Sequence, residues 1–373
     1  MRRRAAFVAA GLATTALLAC QLIVGVDEEI GVRPIEAGAA DANDASTDDA
    51  VPAAPCVALH PPPPPASGSG GTGVRFFAAR TFRMRPRGAP AIGYDLDGRC
   101  TNLSGSAFTE APCSSDIDAS DDDGGVDNAF GRLLDDAHLF SDAGDPAGES
   151  FTMLAEAGEH TLVIQLVGWN GEPDDPLVKV SIVPATAFAG SGCDGGLDDG
   201  GPPRWNGCDV WDMAEGTPYA HDPGVVGGSF DGYVTGGMLV ASDRSNAHEI
   251  GLGTSAKLHE AIVTAKIVED NGRYQLRDTV IAGRIPAGTL LDFMNRIETQ
   301  GGALCQRPGA PAFLKGLVCV QRDLTLSSTS DGTGKACDAM SFAIAFDAFE
   351  ARLSGKATTR PPDKCEGVDT TCP

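Results

Sequence analysis

From Val74 to about residue 350, apolar residues recur mostly at every second position, the signature of strands with one buried face. "HTLVIQLVGWNGEPDDPLVKVSIVPA" holds two such runs around Asn170-Gly171. Leu162–Val167 is almost continuously apolar, whereas Val178, Val180 and Ile182 alternate with Lys179 and Ser181. "EAIVTAKIVEDNGRYQLRDTVIAGRI" repeats the design around Asp270-Asn271-Gly272, a strong turn signal. "GVRFFAARTFRM" and "DGYVTGGMLVASD" are further strand candidates, and "MSFAIAF" sets Met340, Phe342, Ile344 and Phe346 on one strand face. Helical spacing is confined to short stretches. One carries Phe130, Leu133, Leu134 and Ala137; another carries Leu290, Phe293, Met294 and Ile297, with Thr289 and Asp292 as a capping box. These elements predict a mainly β fold, a β-sandwich-like globular unit with two or three short helices over residues 75–353. The glycine-rich loop 190–203 could be a seam between two lobes or one long excursion of a single domain.

Outside that range the pattern stops. Residues 20–74 are small, acidic and proline- and glycine-rich, and read as a disordered tether, because such a stretch cannot bury enough apolar area to offset ordering. Residues 354–373 read as a C-terminal coil. Residues 1–19 have a positive start, Arg2-Arg3-Arg4, followed by a short apolar run that ends at Cys20, which is the layout of an export signal. The segment resembles a bacterial lipoprotein signal. That resemblance implies cleavage before Cys20, lipidation of Cys20 and, since Gln21 follows, an outer-membrane anchor; its periplasmic or surface face stays open. The alternative is an ordinary cleaved signal with a coincidental cysteine.

Cysteine usage points the same way. Eleven cysteines less Cys20 leave ten, an even number that suits disulfides in an exported protein. Nearest-neighbour pairing gives Cys100–Cys113, Cys193–Cys208, Cys305–Cys319 and Cys365–Cys372, with Cys56 and Cys337 left over. The net charge of −23 argues against nucleic acid as a partner and against docking on anionic lipid through basic patches.

The charge is concentrated in "CSSDIDASDDDGGVDNAFGRLL", where Asp116, Asp118, Asp121, Asp122, Asp123 and Asp127 precede the first basic residue, Arg132. Carboxylates beside a turn glycine are the ligand chemistry of Ca²⁺. "YDLDG" places Asp95 and Asp97 just upstream. One calcium site is therefore expected from Asp95 or Asp97 with Asp121, Asp123, Asp127 and the carbonyl of Asn128. The competing expectation is a solvated acidic loop in which Asp127 or Asn128 caps the following helix. No zincin, nucleophile-elbow or P-loop motif is present. The three tryptophans read as core packing in preference to a sugar-stacking face. A binding or structural module, for a glycan or an envelope protein, is the expected function. A secreted hydrolase that attacks polysaccharide through paired carboxylates is the alternative.

Taken together, "ACQLIVGVD", "IGYDLDGRCT", "DGGVDNAFGRLL", "GWNGEPDDPLVKV" and "CDAMSFAIAFDAF" resemble a group of predicted lipoproteins of myxobacterial-type genomes. The resemblance implies an outer-membrane or surface location and carries no catalytic residue across. It also implies that "YDLDG" and "DGGVDN" belong to one arrangement.

Overall fold

The computed structural model describes residues 59–84, 90–101, 112–114, 121–122, 125–136, 145–193, 201–214, 229–251, 255–296, 298–299, 302–358 and 365–373. Cys20, Cys56, Asp123 and the export signal lie outside them. The strands are β1 (Gly73–Arg83), β2 (Thr161–Trp169), β3 (Asp175–Ser191), β4 (Asp209–Ala214), β5 (Phe230–Thr235), β6 (Met238–Gly251), β7 (Ser255–Asp270), β8 (Arg273–Pro286), the two-residue pair β9 (Glu298–Thr299) and β10 (Gly302–Ala303), and β11 (Ala339–Thr358). The helices are α1 (Ala129–Asp136), α2 (Pro146–Ala157), α3 (Ala287–Asn295) and α4 (Ala310–Val320). None is long and apolar enough to cross a membrane.

Eight strands close on themselves in the order β1-β2-β3-β5-β6-β7-β8-β11 and back to β1, each pair antiparallel. This corrects the β-sandwich expectation: the architecture is a closed barrel. Two pairings decide it. β11 joins β1, with Phe82 opposite Phe346, and β3 joins β5, with Val180 opposite Phe230. A sandwich would leave those edges free, whereas closure satisfies their N–H and C=O groups. Tight turns set the hairpin registers. Asn271 and Gly272 have φ of 54° and 76°, and Gly236 and Gly237 have 55° and 78°, the left-handed pair that a two-residue hairpin turn needs.

The inward faces form one large core. Met340, Phe342, Ile344 and Phe346 all enter it, as the period-two pattern predicts. Phe346 stacks at 5.5 Å on Phe82, which meets Phe151 of α2 at 6.0 Å, and Phe342 meets Phe130 of α1 at 5.0 Å. The helices thus add to the barrel's own core. Thr289 lies inside α3, which begins after Pro286 with no side-chain cap, and Asp292 pairs with Arg296 at 2.9 Å, so the expected capping box does not form.

A second, smaller core explains the continuous apolar run of β2. β4 runs antiparallel to β3 and parallel to β11, which closes a five-strand ring over the outer face of β1, β2 and β3. Leu162, Ile164 and Leu166 enter the large core, while Val163 enters the small one beside Ala78, Val183 and the fully buried Trp211. A strand buried on both faces loses its polar alternation. The β3–β4 connection is the loop read as a lobe seam, and the disulfide Cys193–Cys208 closes it as expected.

The other described disulfides differ from nearest-neighbour pairing. Cys113 joins Cys337, Cys305 joins Cys365, and Cys319 joins Cys372; Cys100 is disulfide-bonded as well. The last two bonds fasten the C-terminal segment to α4 and the turn before it. From residue 59 the segment read as tether lies along the barrel. The Leu59 carbonyl accepts from the Asp95 N–H at 3.2 Å, the Pro62 carbonyl from the Tyr233 hydroxyl at 2.5 Å, and Gly71 N–H donates to Gly168 at 2.5 Å.

Candidate metal centre

The outer wall of β7, β8 and β11 supplies the floor of the site. Residues there alternate with the inward set, and three of the outward ones anchor loops. The Thr264 hydroxyl bonds the Tyr94 hydroxyl at 2.8 Å. Arg284, directly opposite Ser341 in the β8–β11 register, donates to the Leu96 carbonyl at 2.7 Å. The Ser341 hydroxyl accepts from the Ala129 N–H at 2.7 Å and donates to Asp323 at 2.5 Å. Two segments far apart in the chain, the stretch leading into α1 and the stretch between α4 and β11, therefore meet on one patch of wall. The Cys113–Cys337 bond ties them together.

Asp95, Asp97 and Asp127 converge there, with one carboxylate oxygen from each lying within 4.8 Å of the others. The Asp95 carboxylate folds its own loop: Oδ1 accepts from the N–H groups of Asp97 (3.2 Å), Gly98 (2.6 Å) and Arg99 (3.2 Å). Asp97 Oδ1 accepts from Arg99 N–H at 2.8 Å. Asp127 Oδ2 accepts from Leu96 N–H at 2.7 Å, so it holds the same loop from the other side. Asp95 is 5% exposed and Asp127 1%. Oδ2 of Asp95 and Oδ2 of Asp97 are both buried with no hydrogen-bond partner, and the nearby Thr101 hydroxyl shares that condition. An ionised oxygen buried without a partner is costly, by several kcal/mol on the order of what burial of an unpaired charge carries.

Asp121 stands beside the triad. It exchanges two backbone contacts with Thr101: its Oδ2 accepts from Thr101 N–H at 2.5 Å, and its N–H donates to the Thr101 carbonyl at 2.6 Å. Asn128 is the cap of α1. Its Oδ1 accepts from Gly131 N–H at 2.9 Å, its carbonyl accepts from Arg132 N–H at 3.2 Å, and its amide donates to the Ile92 carbonyl at 3.0 Å. The sequence-derived set thus divides in three: Asp95, Asp97 and Asp127 gather, Asp121 flanks them, and Asn128 serves the helix. Asp123 falls outside the described residues.

Burial dominates the electrostatics. It pushes the Asp97 carboxyl up to about 8, with the negative charges of Asp121 and Asp95 adding to the effect. Burial raises Asp121 to about 6 against the Thr101 N–H bond, and holds Asp127 well above the ordinary carboxylate range, reinforced by Asp97 and Asp121. Asp323, a further buried acid that sequence reading missed, is raised by burial against the pull of Arg132, whose Nη2 is 3.8 Å from its Oδ2. The nearest fully buried cation, Arg284, is already engaged. It grips Asp331 with two bonds of 3.0 and 2.6 Å, pairs with Glu260 at 3.2 Å and bonds the Thr325 carbonyl at 2.7 Å. With no cation of its own, the triad relieves its repulsion by keeping protons on the raised Asp97 and Asp127 carboxyls, and its oxygens converge as the ligands of a hard cation do.

The tryptophans pack as expected of core residues. Trp211 is fully buried between Phe188 (5.6 Å) and Trp205 (5.9 Å), and Trp169 meets Tyr274 edge-on at 4.8 Å with Arg75 above both rings. No known protein family, curated protein or solved structure matches this chain.

Proposed function

We propose that the protein is an exported, lipid-anchored barrel with a binding or structural role, and that its acidic triad holds one structural Ca²⁺. The observation that carries the calcium reading is the convergence of Asp95, Asp97 and Asp127 with two buried, partnerless oxygens. Without an ion the buried acids can stay together only by keeping protons on Asp97 and Asp127, whereas a divalent cation displaces those protons and satisfies the free oxygens. Residues lent to the loop backbone fix the ligands' directions, as second contacts do in metal sites generally. The ion would pin the Asp95–Arg99 turn against α1 and the barrel wall. Export is supported by the disulfides, which suit an oxidising compartment. The anchor at Cys20 and the outer-membrane address rest on the resemblance of the first residues to a lipoprotein signal, and a glycan or envelope protein is the partner class proposed.

Thermal unfolding of the oxidised protein tests the calcium reading. Excess EGTA is compared with millimolar Ca²⁺, with Mg²⁺ as control. A ligand at a hundred times its dissociation constant stabilises by about 2.7 kcal/mol. A Ca²⁺-specific rise in Tm that vanishes in Asp95→Asn/Asp127→Asn supports the site; an equal rise with Mg²⁺, or none, removes it.

A further inference from the structure

Cys193–Cys208 differs from the other described disulfides in two respects. Cys193 is the exposed half-cystine among the described residues, while its partner Cys208 is 6% exposed. The guanidinium of Arg273, the first residue of β8, lies across the bond: Nη1 is 3.6 Å and Nη2 3.7 Å from Cys208 Sγ, and Nη2 is 3.9 Å from Cys193 Sγ. Other arginines of the barrel wall are matched to acids, Arg75 to Glu350, Arg80 to Glu156, Arg83 to Asp278 and Arg277 to Asp347. Arg273 has no carboxylate partner among the described residues and faces sulfur. The chain makes room for it at Gly207, where φ is 81° and a Cβ would collide with Nη1 of Arg273. A side chain there would push the guanidinium off the disulfide.

We propose that Cys193–Cys208 is a thiol-exchange site, at which an external thiol of the low-molecular-weight class becomes joined to Cys193. The thiol loses its proton to bulk water, and its thiolate attacks the exposed Sγ of Cys193. A sulfur–sulfur bond forms to Cys193 as the Cys193–Cys208 bond breaks, and the electron pair leaves on Cys208 Sγ as a thiolate. Exchange is faster when the leaving thiolate is better stabilised, and a neighbouring guanidinium supplies that stabilisation. With a dithiol the second sulfur then displaces Cys193, which leaves both cysteines reduced and the dithiol oxidised.

The test treats the oxidised full-length chain with reduced glutathione, followed by timed acid quenching, alkylation and peptide mass spectrometry. Cys193–Cys208 should open at least tenfold faster than Cys113–Cys337 or Cys305–Cys365, with the first glutathione adduct on Cys193. Arg273→Gln should slow that opening several-fold, because the departing Cys208 thiolate loses the positive charge beside it. Arg273→Lys should keep most of the rate, and the other pairs should not change. Opening no faster than those two pairs, a first adduct on Cys208, or an Arg273→Gln rate equal to wild type would each overturn the proposal. If Arg273→Gln loosens the fold, every pair accelerates together, and the order of opening and the site of the first adduct in the wild type then decide.

Discussion

Replacing Asp97 by Asn should stabilise the protein at one pH and in one buffer, and destabilise it in another. Burial, with help from Asp121 and Asp95, lifts the Asp97 carboxyl to about 8 in the folded protein without calcium, while the unfolded chain titrates near the ordinary value of about 4. Between those values the folded state keeps a proton that the unfolded state has released. Stability is therefore fully present below about pH 4 and is lost as pH rises toward 8, at about 1.4 kcal/mol per pH unit per retained proton. Over pH 5 to 8 that would amount to about 4 kcal/mol, and partial access of water to Asp97 reduces it to about 2 kcal/mol. Asn mimics the neutral acid and keeps an oxygen to accept from Arg99 N–H. In EGTA, Asp97→Asn should thus match the wild type at pH 5 and exceed it at pH 8 by about 2 kcal/mol, which is about 3 °C in Tm for a chain of this size. In millimolar Ca²⁺ at pH 8 the order should reverse, because the variant has lost a ligand. Urea melts at the two pH values, with and without Ca²⁺, read all four cases. An Asp97→Asn protein equally destabilised at pH 5 and pH 8 in EGTA would refute the linkage, since it would mean that the carboxylate is stabilising as an ion.

Three further outcomes follow from the same contacts. Arg284→Met should destabilise by about 3–5 kcal/mol in urea unfolding, because it leaves buried Asp331 and Glu260 without their cation. Asn128→Ala should cost about 1–2 kcal/mol through loss of the α1 cap, with little change in calcium affinity if its side chain serves only the helix. Cys113→Ser/Cys337→Ser frees the segment between α4 and β11 from the stretch before α1. It should weaken calcium binding more than it changes far-UV circular dichroism, because the barrel hydrogen bonds stay intact.

Strand positions were legible in the sequence, but closure was not. Alternation in β11 and the Asn271-Gly272 turn each report local geometry, which a strand keeps in a sandwich or in a barrel. The barrel depends on β1 meeting β11, a pairing between the two ends of the folded region with no local signal. The apolar run of β2 did carry a hint, since a strand without polar alternation needs cover on both faces, and β4 completes the ring that supplies the second cover. Two helices were missed although their ends were marked. In α2, Asp145 accepts from Gly148 N–H, Pro146 opens the helix and Gly158 ends it with φ of 78°, a start and stop that composition displays. In α4, Pro311 marks the first turn, but an almost wholly apolar helix reads as readily as a strand.

At the site, "YDLDG" and "DGGVDN" were expected to converge through a Cys100–Cys113 bond; Asp95, Asp97 and Asp127 do converge, but Cys113 is bonded to Cys337 instead. Asp323, Arg284 and Asp331 gave no such sign. They are single charged residues separated from the triad by some two hundred positions, and only the sheet register and the Cys113–Cys337 bond bring them close. The nearest-neighbour disulfide rule held for Cys193–Cys208 and failed for the other described pairs, for a related reason. Chain ends and long loops are fastened across a barrel to whatever segment lies beside them, not to the next cysteine along.

Calcium titration by isothermal calorimetry at pH 7.5, in two buffers of different ionisation enthalpy, reaches the central claim most directly. Saturable binding of one Ca²⁺ per chain is predicted, with one or more protons released, since Asp97 and the likewise raised Asp127 must give up the protons they hold. The signal should be lost in Asp95→Asn/Asp127→Asn. No saturable heat, or binding that survives that double substitution, would show that Asp95, Asp97 and Asp127 do not form a calcium site.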